Sequence, residues 1–534
     1  MRGVGQVDRF VHERLPPGDA WPELILPDHL INQFELNCVR PLLEQHIASG
    51  VGEAIALRAD GYMWSYSELY SRACRMAGVL RNDFGIESGN RVLLRGANSP
   101  TLIALWLAVQ MNGAIAVTTL SLLRAKELQA ILEMSRPGVA ICEGSMAIEL
   151  ESACEAVTID CPILKFDQQG NGELQRRMER MPDRFPIYPT LSNDIALIGF
   201  TSGTTGRPKA TIHFHRDVIA VCEIVAAKMI AARPEDVFIG TAPLAFTFGL
   251  GGLLLFPLFS GSSAVLNPSY SPDELLTAIE KHRASICFTV PSFYQRMVLS
   301  DMPINVRSLR LAISSGESLP LKVREAWREK TDIQLTEFLG STELLHAFAG
   351  STGDGIRPGF IGPAFPGYQL AILDQAGARL PAGKIGRFAV KGPTGCRYLD
   401  DPRQSDYVQA GWNITGDACA LSEDGYVQYH SRLDDMIISS GYNISGIEVE
   451  NSLLEHPDVA ECAVIGTPDE GRGEAVTAFV VPRSQPPKVS EFVNALQKHV
   501  RAQLAPYKYP RIVHLVEVLP RNESGKIQRF RLRV

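Results

Sequence analysis

From about Glu53 to Asn267 the chain alternates short apolar runs with amphipathic stretches. RVLLRG (91–96), GVAICE (138–143) and IALIGF (195–200) have the length and apolar density of buried strands. LIALWLAVQMNG (102–113) and LQAILEMS (128–135) read as helices between them. This alternation predicts parallel sheets, because parallel neighbours need a long crossover packed on the sheet face. SICFTV (285–290) and LRLAISSGE (309–317) continue it. From Gly359 the texture changes to Gly-punctuated β segments: QLAILD (369–374), GRFAVKG (386–392) and YVQYH (426–430). After RLDDMIISSGYNISGIEVEN (432–451) the order is helix, strand, strand, helix, strand. We therefore expect an α/β fold with a smaller β unit and a separate α+β domain, divided near Asp434 into 1–433 and 434–534. A chain of 534 residues has room for that division.

The net charge of −7, with no dense Lys/Arg run, argues against nucleic-acid binding. The most apolar stretch, GLGGLLLFPLF from Gly249, is too short and Gly-rich to span a bilayer. The N-terminus has no apolar signal region. The 10 cysteines show no C-x-x-C pair or metal spacing, which suggests reduced thiols in a cytoplasm.

Five stretches carry candidate chemistry. FTSGTTGRPKA (200–210) follows an expected strand and can turn backbone N–H groups and hydroxyls toward an anion, with Lys209 as a point charge. It lacks the G-K-[ST] end of the common nucleotide loop, which opposes a P-loop NTPase. By itself it also reads as a surface loop of turn formers. In EFLGSTELLH (337–346), a hydroxyl beside a carboxylate at Thr342 and Glu343 suits Mg²⁺, although a helix N-cap is the simpler reading of that stretch alone. Asp417 in GWNITGD could accept ribose hydroxyls or merely close a turn. Arg432 in SRLDD could be a surface ion pair, and Lys526 in PRNESGKIQR a solvated side chain.

In this order and at these spacings the five stretches closely resemble the signature motifs of the adenylate-forming superfamily, which includes acyl-CoA synthetases, peptide-synthetase adenylation domains and firefly-type luciferases. The resemblance runs from about Glu53 to Arg531. It implies a large N-terminal domain of two α/β sheet subdomains plus a β-barrel-like subdomain, and a small mobile α+β C-terminal domain. It also implies roles for individual residues. Thr201, Ser202, Gly203, Thr204, Thr205, Gly206 and Lys209 would cover the β- and γ-phosphates of ATP. Thr342 would meet the α-phosphate, and Glu343 the Mg²⁺. Asp417 and Arg432 would hold the ribose. Gly316, Glu317 and Ser318, with Phe338, would frame the adenine. Lys526 would be the catalytic lysine of adenylation, Asp434 the hinge, and Gly441 would approach coenzyme A. Two positions depart from the pattern: Ser431 stands where Gly usually precedes the hinge-motif Arg, and Gly446 where Pro is common.

The reaction so implied converts a carboxylic acid to an acyl-adenylate with release of pyrophosphate, then to a CoA thioester with release of AMP. The segment PLAFTFGLGG (243–252) holds no acid that could pair an α-ammonium, which opposes amino-acid substrates. FTFGLGG and GSTELLHAF resemble the benzoate and 2-aminobenzoate branch of the aryl-CoA ligases. By position Phe246, Thr247, Phe248, Gly340, His346 and Ala347 would line an aryl pocket. Alternatively, Phe246 and Phe248 are ordinary core residues and His346 a satisfied core histidine. DRFVHERLPP (8–17) resembles the start of 2-aminobenzoate–CoA ligases more than of benzoate ligases. Anthranilate is the expected acid, with benzoate, or transfer to an acyl-carrier protein, as alternatives. A downstream acyl-CoA-using enzyme and a homodimer are compatible with the resemblance. A non-catalytic adenylate binder would have no need of Lys526.

Overall fold

The computed structural model describes residues 5–32, 34–167, 172–201, 208–439, 442–469, 473–504, 507–521 and 526–533. The expected alternation becomes two sheets. One has six strands in the spatial order Ile163–Phe166, Val139–Glu143, Arg91–Arg95, Ile115–Thr119, Ile195–Thr201, Lys209–Phe214. Its pairings are parallel except the last, where Thr201 lies opposite Lys209 and Ile195 opposite Phe214. The other has eight strands, with parallel pairings through its centre and antiparallel strands Tyr62–Ser65 and Ala347–Gly350 at its two edges. The crossover helix Pro100–Met111 is buried at every position, and it starts where Ser99 accepts the Leu102 N–H at 3.2 Å with Pro100 following. Helix Tyr66–Phe84 opens on a reciprocal Ser65/Glu68 cap and stops at Gly85, whose φ of 63° suits a residue without Cβ.

The barrel-like unit is built on a five-stranded antiparallel sheet containing Gln369–Leu373, Gly386–Lys391, Val408–Gln409, Trp412–Leu421 and Val427–Arg432. The last sheet joins Met436–Ser439, Tyr442–Ser445, Val459–Asp469, Gly473–Pro482 and Ile512–Leu515. Helices Gly446–Leu454 and Val489–Gln503 contribute Val449, Leu453, Leu496 and Val500 to its own apolar core.

The N-terminal residues cover the six-stranded sheet. Gln6 donates to the Gly113 and Ile195 carbonyls, and Asp8 pairs with Arg91. Further on, Leu24 bridges to Gly392 of the five-stranded sheet. Each cysteine is a free thiol. Among the described residues no helix is long and apolar enough to cross a membrane.

Leu105 lies at the centre of the buried crossover helix, whereas Ile148 is 77 % exposed. Leu105→Ala should therefore cost about 2–5 kcal/mol in the first denaturant transition, and Ile148→Ala less than about 0.5 kcal/mol. Equal effects would contradict this packing.

Candidate active site

The site begins at the pairing of Ile195–Thr201 with Lys209–Phe214. Residues Ser202, Gly203, Thr204, Thr205 and Gly206 lie outside the described residues, but both ends of their loop are placed. Thr201 and Lys209 face each other across the ladder, so the loop joins two neighbouring strands. Lys209 reaches the Tyr398 hydroxyl at 3.3 Å, and that hydroxyl donates to Glu343 Oε1 at 2.7 Å. Burial, with the charge of Glu343 next, holds the Tyr398 phenol far above its ordinary pKa, so it remains a donor.

Gly199 brings the next group in. A Cβ there would lie 3.0 Å from Thr342 Cγ2 and 4.0 Å from Thr247 Cγ2, so Thr342 and Thr247 meet across a bare backbone. Thr342 begins a short 3₁₀ turn capped by Ser341, which accepts the Leu344 N–H. Its carbonyl accepts a 2.8 Å bond from the buried His213 Nε2. The turn ends at Leu345, with φ 69° and ψ −38°. Such a conformation costs a branched residue about 1–3 kcal/mol, and here it delivers His346 to the interior.

His346 is 3 % exposed, and neither ring nitrogen makes a hydrogen bond of ordinary geometry among the described residues. Burial lowers its pKa to about 4, the nearby Phe248 backbone opposing only in part, so the ring is neutral at pH 7. Phe256, Phe248 and Phe288 surround it, with ring centroids at 4.7, 5.9 and 6.5 Å. Gly251 permits this approach: a Cβ would lie 2.5 Å from His346 Nε2. Gly251–Leu255 is a π-helical turn, a form frequent beside functional sites. Phe246 caps the short helix Thr247–Leu250, and Ala347 is buried. Gly340 lets the two strands close, since a Cβ would lie 2.7 Å from the His346 carbonyl oxygen. Phe256 and Phe288 were missed by sequence reasoning; both sit in apolar runs that carry no site signal of their own.

Asp417 lies opposite Arg432 in the five-stranded sheet, and Arg432 Nη1 donates to Asp417 Oδ1 at 2.9 Å. Gly416, at φ 76°, leaves room for the guanidinium. Glu317 follows Gly316 (φ 88°) and accepts from the Ser292 N–H and hydroxyl; Ser318 beside it is half-buried. Phe338 is 2 % exposed and packs edge-on against Phe365. Strand alternation turns Leu339 to the opposite face. Gly441 and the Asp434 side chain lie outside the described residues.

Lys526 joins this set from the last domain. Its side chain is accessible to solvent, yet enough protein surrounds it that desolvation holds its ammonium below the usual lysine range. Glu317, Asp417 and Glu343 pull its pKa back up, and Arg432 pushes it down. One cation thus feels carboxylates from three separate elements of the large domain.

The "AMP-binding enzyme" signature matches residues 44–397, and the "AMP-binding enzyme C-terminal domain" signature residues 448–526. A benzoate–CoA ligase of Thauera aromatica is 31% identical, over 98% of this chain and 98% of that one. A solved anthranilate CoA ligase, AuaEII with anthranoyl-AMP, superposes with a TM-score of 0.88 at 29% identity, covering 93% of this chain and 97% of that one. ATP-bound MatB from Rhodopseudomonas palustris gives 0.86 at 29% identity, covering 93% and 98%. The chain belongs to the AMP-binding enzyme family. It is an acid–thiol ligase that works through an acyl-adenylate, with ATP and CoA as the family's co-substrates.

His213, His215 and His346 are buried, with pKa values lowered by desolvation to about 4, about 3 and about 4. Above pH 6.5 folded and unfolded forms are both neutral. As pH falls from 6.5 toward 4 only the unfolded chain takes up these protons, so stability present at neutral pH is lost. Each histidine contributes about 1.4 kcal/mol per pH unit within that window. His346→Gln should reduce the proton uptake on unfolding by about one at pH 5 and hardly at all at pH 7.5. Unchanged uptake would mean the ring is not held neutral.

Proposed function

We propose that this ligase activates an aromatic carboxylic acid, and 2-aminobenzoate ahead of benzoate. The observation that carries this reading is His346: a neutral imidazole, neither ring nitrogen of which makes a hydrogen bond of ordinary geometry among the described residues, inside an aromatic cage of Phe248, Phe256 and Phe288. Buried polar atoms are costly when unpaired, and a flat ring bearing a carboxylate and an amine would supply partners. An aniline amine is neutral at pH 7, so the pocket needs no acid to balance it. The anthranoyl-AMP ligand of AuaEII and the benzoate ligase relative support the same substrate class.

The acid's carboxylate oxygen attacks the α-phosphorus of ATP, and the bond to the β-phosphate breaks. Attack brings two anions together, so the site must offset repulsion and align the partners. In this reading Thr342 meets the α-phosphate. Lys209 and the 201–206 loop hold the departing pyrophosphate, and Asp417, fixed by Arg432, holds the ribose. Gly316, Glu317 and Ser318 border the base. Lys526 bridges the carboxylate and the α-phosphate. Glu343 suits Mg²⁺: it offers a hard oxygen donor, held through the Tyr398 hydroxyl near Lys209, for an ion that binds together with substrate phosphates. When bound, Mg²⁺ supplies charge compensation for the leaving group. A CoA thiolate then attacks the acyl carbonyl carbon and AMP departs. We assign residues 434–534 as the lid that withdraws Lys526 and admits the thiol, turning at Asp434 and bringing Gly441 toward coenzyme A.

Pyrophosphate release with anthranilate, benzoate, salicylate, octanoate and phenylalanine, each with and without CoA, tests the substrate. Anthranilate should lead, with thioester only when CoA is present; a lead for octanoate or phenylalanine would refute the pocket reading. His346→Phe should shrink the anthranilate-to-benzoate preference by up to about 10-fold, the worth of one neutral hydrogen bond. Lys526→Ala should slow adenylation on the order of 100-fold or more and spare thioester formation from supplied acyl-adenylate. Equal loss in both half-reactions would remove Lys526 from its role.

A further inference from the structure

Residues 395–404 form a strap between the N-terminal segment and the phosphate-side strand. On one side the Leu399 N–H donates to the Ala210 carbonyl, the Ile212 N–H to the Arg397 carbonyl, and Arg403 to the carbonyl of Pro208. On the other, the Asp400 N–H donates to the Arg14 carbonyl, Gln404 Nε2 to the Ala20 carbonyl, and Arg397 stacks over the Trp21 ring at 4.8 Å. Gln404 Oε1 accepts the Tyr398 N–H at 2.9 Å, and the Tyr407 ring packs edge-on against Tyr398 at 5.7 Å. The last two contacts hold the Tyr398 backbone and ring, and so restrict where its hydroxyl can go. That hydroxyl sits between Lys209 Nζ and Glu343 Oε1, accepting from one and donating to the other.

We propose that Tyr398 is a positioning residue for adenylate formation: through its hydroxyl it fixes the Glu343 carboxylate relative to Lys209, and so sets the geometry in which the metal–nucleotide complex is held. The proposal rests on the reading of Glu343 as the metal-facing carboxylate. A ligating carboxylate that is itself hydrogen-bonded keeps one orientation, and loss of such a partner typically weakens metal binding about 10–100-fold. The N-terminal segment thereby gains a reason to be there. It backs the strap that carries the tyrosine.

The test compares full-length wild type with Tyr398→Phe, Glu343→Gln and the double variant. It follows Mn²⁺ binding to the ATP-loaded protein by calorimetry, the Mg²⁺ dependence of pyrophosphate release, thioester formation from supplied acyl-adenylate, and the thermal midpoint. Tyr398→Phe should weaken Mn²⁺ binding and raise the half-saturating Mg²⁺ by about 10-fold or more. Thioester formation and thermal midpoint should stay at wild-type levels, and the change should have no further effect in the Glu343→Gln background. Wild-type metal dependence in Tyr398→Phe, with Glu343→Gln impaired, would overturn the proposal. So would parallel loss of both half-reactions with a lowered midpoint, which would make the hydroxyl purely structural. Wild-type metal binding in Glu343→Gln would instead overturn the reading of Glu343 on which the proposal rests.

Discussion

The antiparallel pairing of Ile195–Thr201 with Lys209–Phe214 is the joint from which the rest of the site hangs. A strand that returns directly beside its neighbour holds the two ends of the intervening loop at ladder spacing, whatever the loop binds. The same pair supplies Lys209 at one end, the bare backbone of Gly199 against Thr342, and His213, whose Nε2 donates to the Thr342 carbonyl. The returning strand also bridges to Tyr398 through Thr211. One hairpin therefore locates groups from three parts of the sequence, by a close backbone approach, a side-chain hydrogen bond and a backbone bridge.

Behind the hairpin lies a buried charged cluster. Arg397 Nη1 donates to Asp217 at 3.2 Å, with both side chains fully buried. Burial lowers the Arg397 pKa to about 10, while Asp217 opposes the shift, so the guanidinium stays charged. It lies against both the Trp21 and Phe214 rings, 4.8 and 4.6 Å from their centroids. Such a pair is weak evidence for stability, because desolvation offsets much of the attraction. Its plainer consequence is geometric: a planar cation gripped by two rings and one carboxylate has one orientation, and it lies next to Tyr398 in the chain.

The surroundings of His346 and of the lysine make opposite demands. Burial among aromatic rings keeps His346 neutral. Lys526 stands where carboxylates from three elements of the large domain oppose its desolvation. On the reading proposed above, the aromatic wall places the acid, and the lysine of the second domain offsets the repulsion between a carboxylate and a polyphosphate.

Much of this was legible in the sequence, and the reasons differ by element. Apolar period and length determined the strands and crossover helices, since burial on both faces of a parallel sheet admits little else. The five spaced stretches identified the chemistry, because Thr342, Glu343, Asp417, Arg432 and Lys526 are polar groups whose combination no packing rule demands. Side-chain parity did not follow: strand register turns Phe338 to the core, edge-on against Phe365, and Leu339 the other way. Phe256, Phe288 and Tyr398 carried no local signal, for each looks like core filling until distant strands converge. What the sequence alone determined was the set of elements and the reaction class. The tertiary structure decided which face each residue shows and which residues from separate segments meet, because pairing register and crossover packing are long-range properties that no short stretch contains.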